Sequence, residues 1–281
     1  MRGEHLEPAG GSGQGPDAPA GWLLECHGLT KVYPRARRSA GTHLPALHDV
    51  TVGVHAGECL GLVGESGSGK TTLANCLAGL LEPSAGTVAY LSEIISAPGT
   101  TKRFPRVQGI QIVFQDPASS LNPRRTVGSV LAEIIKVHSL RPKNDVATRV
   151  HELLGLVGLD SEMAGRRPRQ LSGGQQQRVA IARALAFEPR LIIADEIVSA
   201  LDASVQAQIL NLLADLREQL GLAIILVTHD MSVARHLCDR IAVMRAGQIV
   251  EQGQADQVLL SPAHPYTQEL LRAVPRLAGA R

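Results

Sequence analysis

Residues Gly64-Glu65-Ser66-Gly67-Ser68-Gly69-Lys70-Thr71 read as Gly-x-x-x-x-Gly-Lys-Thr, a spacing that builds a cradle for phosphate. Glycines let successive backbone N–H groups converge on one anion, and a helix opening near Gly69 aims the positive end of its dipole at the same charge. Lys70 is expected to reach the β- and γ-phosphates of a bound nucleotide, Thr71 to ligate Mg²⁺, and Thr72 to add a hydroxyl contact to the α-phosphate. A metal on that side calls for an acid at the end of a neighbouring strand, and Leu191-Ile-Ile-Ala-Asp195-Glu196 offers two in succession. Neighbouring strand side chains point to opposite sides. Asp195 is therefore expected in the Mg²⁺ shell, and Glu196 beside a water in line with the γ-phosphate, acting as its general base.

A second glycine pair opens another helix at Leu171-Ser172-Gly173-Gly174-Gln175-Gln176-Gln177-Arg178. Such a helix start is a second anion-binding end, yet the phosphates of this chain already belong to Gly64 to Thr71. A symmetric head-to-tail dimer resolves this: Ser172 and the amides of Gly173 and Gly174 close over the γ-phosphate held by a partner.

The surrounding text supplies elements that would hold these groups. Leu23 to Cys26 and Leu47 to Val54 read as strands of a small sheet, separated by a basic, Pro-containing stretch at 31–38. Glu58 to Val63 is an apolar strand leading into the phosphate loop, and Thr71 onward reads as a helix with Leu73, Leu77 and Leu80 on one face. Leu191 to Ala194 and Leu222 to Val227 are continuous apolar runs, the pattern of parallel strands covered on both faces. Ala203 to Leu220 is the crossover helix between them, with a stripe of Ile209, Leu212, Leu213, Leu216 and Leu220. Val127 to Leu159 reads instead as amphipathic helices, including Val150 to Leu156, broken at Arg141-Pro142 and Gly158. Beyond His229 come a helix near Ser232 to Cys238, a hairpin from Ile241 to Val250 turning at Ala246-Gly247, and two short helices around Pro262.

Composition sets the outer bounds. The 281 residues are 44% hydrophobic and 19% charged, ordinary globular usage that excludes a wholly disordered, collagen-like or disulfide-scaffold chain. The net charge of +2 does not argue for nucleic acid, and none is expected as a partner. No run approaches the roughly 18 apolar residues of a membrane span. Cys26, Cys59, Cys76 and Cys238 are scattered without a metal-site spacing and read as small apolar residues. Residues 1–20, rich in Gly and Pro with no apolar h-region, read as a disordered tail.

With these motifs in order, the chain resembles the nucleotide-binding subunit of an ABC transporter, whose signature is the Leu-Ser-Gly-Gly-Gln seen at 171–175. The resemblance implies roles for further residues. Gln115, in Val113-Phe-Gln-Asp-Pro117, matches the Q-loop, which in the family contacts Mg²⁺ and water and relays nucleotide state to the membrane subunits. Asp202, in Ser199-Ala-Leu-Asp202, matches the D-loop that crosses the dimer interface. His229, in Val227-Thr-His-Asp230, matches the switch histidine on the γ-phosphate, and Tyr33 stands where an aromatic stacks on adenine. Ser172, Gly173, Gly174 and Gln175 are then nucleotide contacts across the interface. Ile197 departs from the Pro that commonly follows the glutamate, and this removes no ligand.

The implied fold is α/β: a P-loop NTPase core with a mostly parallel sheet, an antiparallel β subdomain and an inserted α-helical subdomain. The ATP-binding domain would span 21–281, with the helical subdomain at about 117–171 and C-terminal helices at about 254–281. The implied partners are a second ATP-binding subunit, identical or related, two transmembrane permease subunits and, indirectly, an extracytoplasmic solute-binding protein, with the chain at the cytoplasmic face of the cell membrane. The implied activity is Mg²⁺-dependent ATP hydrolysis that powers solute import. Asp116-Pro-Ala-Ser-Ser-Leu-Asn-Pro-Arg124 and Ser261-Pro-Ala-His-Pro-Tyr-Thr-Gln-Glu-Leu-Leu271 resemble the oligopeptide, dipeptide and nickel importer branch. A cysteine-rich extension found in some members of that branch is lacking, so no iron-sulfur site is expected. The rival is a soluble ABC-type assembly ATPase, such as a subunit of a carbon-phosphorus lyase complex, in which ATP gates protein association.

Overall fold

A computed structural model describes residues 21–33, 45–100, 109–117, 121–138, 142 and 145–273. The tail expected at 1–20 lies outside the described residues, as do parts of the basic stretch at 31–38, of the 116–124 motif and of the break at 141–142, together with 274–281. Alternating side chains in the N-terminal part of the chain build an antiparallel sheet from β1 (Trp22–Lys31) and β2 (Leu47–His55). The chain then leaves it for β3 (Cys59–Val63), buried along its whole length, and enters helix α1 (Lys70–Leu77). It returns through β4 (Ala85–Tyr90) and β5 (Glu93–Ser96), giving the order β2-β1-β4-β5. β4 and β5 carry no clear sequence signal: they are only partly buried, and the Leu91-Ser92 turn between them takes left-handed backbone without glycine (φ 51° and 66°), so the usual Asn-Gly hairpin signal is missing.

A second sheet carries the site. After β6 (Ile110–Val113), another strand with no clear sequence signal, come the helices α2 (Val127–Val137) and α3 (Val146–Leu156) and two 3-10 turns at Ser161–Gly165 and Pro168–Gln170. The chain continues through α4 (Gly173–Leu185), β7 (Leu191–Asp195), α5 (Ala203–Leu220), β8 (Ala223–Thr228) and α6 (Met231–Leu237). The hairpin of β9 (Arg240–Arg245) and β10 (Gln248–Gln254) follows, then α7 (Ala255–Leu260) and α8 (Pro265–Ala273). The strand order is β10-β9-β3-β8-β7-β6, parallel throughout except for the β9/β10 pair.

Both faces of this sheet are covered, which explains its unbroken apolar runs. Leu191 and Ile193 of β7 and Ile225 and Val227 of β8 join Leu73 and Leu77 of α1 in the core shared with the antiparallel sheet. Their neighbours Ile192, Ala194, Ile224 and Leu226 face the opposite way, toward Ile181 of α4 and Ile209 and Leu213 of α5. Two expected stripe residues fall outside the core. Leu80 is 61% exposed because α1 ends at Leu77, Ala78 caps it, and the left-handed Gly79 turns the chain before another helical turn can form. Leu220, at the last position of α5 before the left-handed Gly221, is 46% exposed.

The cysteines are all buried and free, but two are not scattered in space: Cys59 and Cys238 place their sulfurs 3.7 Å apart. Their mutual hydrogen bond and burial hold the Cys59 thiol well above its ordinary value, so it packs as an unreactive thiol. No helix among the described residues is long and apolar enough to cross a membrane.

Candidate nucleotide site

The loop between β3 and α1 folds as it does because three of its positions carry glycine. A Cβ on Gly64 would lie 2.2 Å from the Met244 carbonyl oxygen, and one on Gly69 2.7 Å from that of Ala46. Gly67 faces open space but sits at φ 80°, where an L side chain is strained. Lys70 is buried, and its ammonium donates to the carbonyls of Gly64 and Glu65, both at 2.8 Å. Burial lowers its pKa, while Glu196 and Asp195 act in the opposite direction. The Ser68 hydroxyl is buried without a partner, an orphaned polar atom inside the loop. A cavity of about 190 Å³ opens over these groups, lined by residues that include Ser66, Gly67, Gly69, Lys70, Thr71, Thr72 and Glu196. A larger cleft of about 920 Å³ is lined by Pro123, Arg124, Arg167, Arg169 and Gln170, none of them from the loop.

The parallel pairing of β3, β8 and β7 brings three strand ends together, and with them Thr71, Asp195, Glu196 and His229. The Thr71 hydroxyl lies 3.4 Å from the Asp195 carboxylate, two hard oxygens of the kind Mg²⁺ takes beside phosphate oxygens and water. Among the described residues no group of three or more His, Cys, Asp or Glu could hold a metal by itself. Burial raises the Asp195 pKa, and the Thr71 hydrogen bond opposes it. Glu196 does not diverge from Asp195 by strand alternation alone. Asp195 is the last residue of β7, and Glu196 turns off the strand in left-handed backbone, φ 50°, with its amide donating to the Val227 carbonyl at 3.0 Å. That conformation is costly for a non-glycine residue and is held by its surroundings. The Glu196 carboxylate lies 3.7 Å from Nδ1 of the exposed His229. Ile197 is buried in the core beneath.

Gln115 connects to this group through Ser199, whose type and spacing alone mark no such role. Its Nε2 donates to the Ser199 hydroxyl at 3.0 Å, and that hydroxyl donates to the Glu196 carbonyl at 2.9 Å. The remaining candidates are placed differently. Asp202 caps α5, accepting from the amides of Ser204 and Val205, and these hydrogen bonds hold its carboxyl below the usual range. Ser172 caps α4 in a reciprocal box: its hydroxyl accepts from the Gln175 amide, and its own amide donates to the Gln175 side chain. Ser172 and Gly173 are exposed. Gly174 has a packing reason to be glycine, since a Cβ there would meet Val205 Cγ1 at 2.5 Å. Tyr33 is half-exposed after β1, with the Lys31 ammonium 5.5 Å from its ring centre, and is not part of the cavity lining.

Known proteins resemble this chain in sequence and in fold. The ABC transporter family profile matches residues 47–199, and that of the oligopeptide/dipeptide transporter C-terminal region matches 250–281. A probable peptide ABC transporter ATP-binding protein of Sinorhizobium fredii, y4tS, is 48% identical over 261 residues, covering 90% of this chain and 72% of that protein. The oligopeptide transport ATP-binding protein OppF of Bacillus subtilis is 45% identical over 255 residues, covering 90% and 82%. Among solved structures, a dimeric post-hydrolysis state of the ATP-binding cassette MJ0796, bound to ADP and Pi, matches with a TM-score of 0.72 and 32% identity over 83% of this chain and 99% of that one. The strand-end cluster beside a glycine loop thus sits in a fold and a sequence that agree on one assignment: the chain belongs to the ABC transporter family, as one of its ATP-hydrolysing ATP-binding subunits.

Proposed function

We propose that this chain powers peptide import by closing on ATP with a second ATP-binding subunit, at the cytoplasmic face of a membrane and against two permease subunits. The observation that carries the site assignment is the Thr71–Asp195 pair set beside the loop that encloses Lys70, with Glu196 turned off the same strand end. The loop amides and Lys70 hold the phosphates, and Thr72 adds a hydroxyl. Thr71, Asp195 and Gln115 are the residues that would hold Mg²⁺, which when bound neutralises phosphate charge. Glu196 takes the proton of the attacking water, and His229, beside its carboxylate, faces the γ-phosphate. Tyr33 stacks on the adenine. Ser172, Gly173, Gly174 and Gln175 of one subunit complete the site of the other, with Asp202 at the interface.

Peptide as the cargo is supported by the C-terminal match at 250–281 and by the names of the relatives. Isolation of the chain under gentle detergent tests the whole reading. Two permease-like subunits, a second ATP-binding subunit and peptide-stimulated ATP hydrolysis in the presence of a solute-binding protein are the expected result. Recovery only in a soluble complex that lacks permeases would favour an assembly ATPase.

A further inference from the structure

The His264-Pro265-Tyr266 segment has a place in the fold that the transport reading does not use. Pro265 is the first residue of α8, where its fixed φ suits a helix start, and the Tyr266 amide donates to His264 Nδ1 at 3.1 Å. Glu251 of β10 anchors the segment from below, accepting from the amides of Ala263 and His264 at 2.8 and 3.1 Å. These contacts place the Tyr266 ring, only 3% exposed, under the Arg245 guanidinium, which lies 4.7 Å from the ring centre. The hydroxyl then reaches the phosphate loop 201 residues earlier in the chain, where it accepts from the Glu65 amide at 3.2 Å.

That amide shares a peptide plane with the Gly64 carbonyl, one of the two oxygens that restrain Lys70. In a trans peptide the N–H and the C=O point in opposite directions, so fixing one end fixes the other. On the far side of the loop, the Gly247 amide in the β9/β10 turn donates to the Ser68 carbonyl at 2.8 Å. We propose that Tyr266 is a positioning residue of the nucleotide site: its hydroxyl locks the Gly64–Glu65 peptide plane and so presets Lys70 for the incoming phosphates. The C-terminal helix thereby sets the affinity of the loop for ATP. This rests on the reading of residues 64–71 as the nucleotide loop.

Tyr266→Phe in the full chain removes the hydroxyl and keeps the ring. Melting temperature, ATP affinity, the KM and kcat of hydrolysis, and hydrogen exchange of the Glu65 amide without nucleotide are measured on wild type and variant. The expected result is an unchanged melting temperature, faster Glu65 exchange, and ATP affinity and KM weakened about threefold, the size of one modest neutral hydrogen bond, with kcat little changed. Unchanged ATP affinity overturns the inference whether or not exchange quickens, and so does weakened affinity with unchanged exchange at Glu65. A lower melting temperature with wild-type affinity assigns Tyr266 to packing and also overturns it. A wild-type chain that binds no ATP would sink the reading of the loop itself, a failure visible before the variant is compared.

Discussion

At the start of α1, the loop from Gly64 to Gly69 exposes Glu65, Ser66 and Gly67 but is anchored at both ends by distant parts of its own chain. Lys70 is buried against two loop carbonyls, Thr71 faces Asp195, and the β9/β10 turn and α8 hold the loop from outside. At the start of α4, Ser172 and Gly173 are exposed, and the capping box with Gln175 supplies their local order. Both are glycine-rich helix openings with the same dipole, so local sequence chemistry does not separate them. Long-range anchoring does. The first is tied to distant segments and lines a cavity, whereas the second presents locally ordered, outward-facing donors that suit a surface brought by another molecule. Even within the second pair the glycines differ: a Cβ on Gly173 would make an ordinary 3.7 Å contact with Leu201, whereas one on Gly174 would collide with Val205.

The contrast can be broken by substitution. Glu196→Gln keeps the shape of the anchored half but removes its base, so phosphate release should fall by about 10²- to 10⁴-fold while ATP binding persists. Substantial steady turnover would take Glu196 out of that role. Gly173→Asp should lower hydrolysis in the assembled complex by about 10²- to 10³-fold, as for loss of one transition-state donor, and leave ATP binding to the isolated chain intact. Equal damage to the isolated chain would erase the distinction between the two helix starts.

Gly174→Ala sharpens the comparison by stability rather than by rate. Overpacking against Val205 should cost about 1 to 3 kcal/mol in urea unfolding, and Val205→Ala in the same chain should restore most of it. No recovery would mean that the close approach of α4 and α5 is not what requires glycine. The smallest effect is expected at Asp195, whose folded pKa is raised chiefly by burial. The native state then binds this proton more tightly than the unfolded chain does. The associated stability is present below the ordinary carboxyl pKa and is lost as pH rises through the folded value, so at neutral pH the charge is a net cost. Asp195→Asn should therefore raise nucleotide-free stability at pH 7, within the roughly 0.5 to 2 kcal/mol common for stabilising substitutions, and flatten its acid dependence while weakening Mg²⁺-dependent ATP binding. A less stable Asn variant would show that hydrogen bonding, not burial, governs this carboxylate.

Much of the parallel core is legible in the sequence because strands buried on both faces are continuous apolar runs, as at β3, β7 and β8. β4, β5 and β6 escape it because they are only partly buried and lack such runs, and β4 and β5 are joined by a turn whose left-handed residues are Leu91 and Ser92. The glycine loop declares itself by its spacing, although Gly64 and Gly69 answer distant neighbours, the carbonyls of Met244 and Ala46. Ser199, which ties Gln115 to the Glu196 carbonyl, and Tyr266, which meets the Glu65 amide, carry no such signal, since Gln115 lies 84 residues from Ser199 and Glu65 lies 201 from Tyr266.

The sequence by itself determined the glycine loop before α1, the paired acids at the end of β7 and the capped start of α4, because spacing and residue type there dictate local backbone. Tertiary structure alone decided that Glu196 leaves its strand through a left-handed turn, that Gly174 is required by a neighbouring helix, and that Cys59 lies against Cys238. It alone also brought α8 to the phosphate loop. Each of these depends on which elements lie side by side, and that follows from the packing of the whole core.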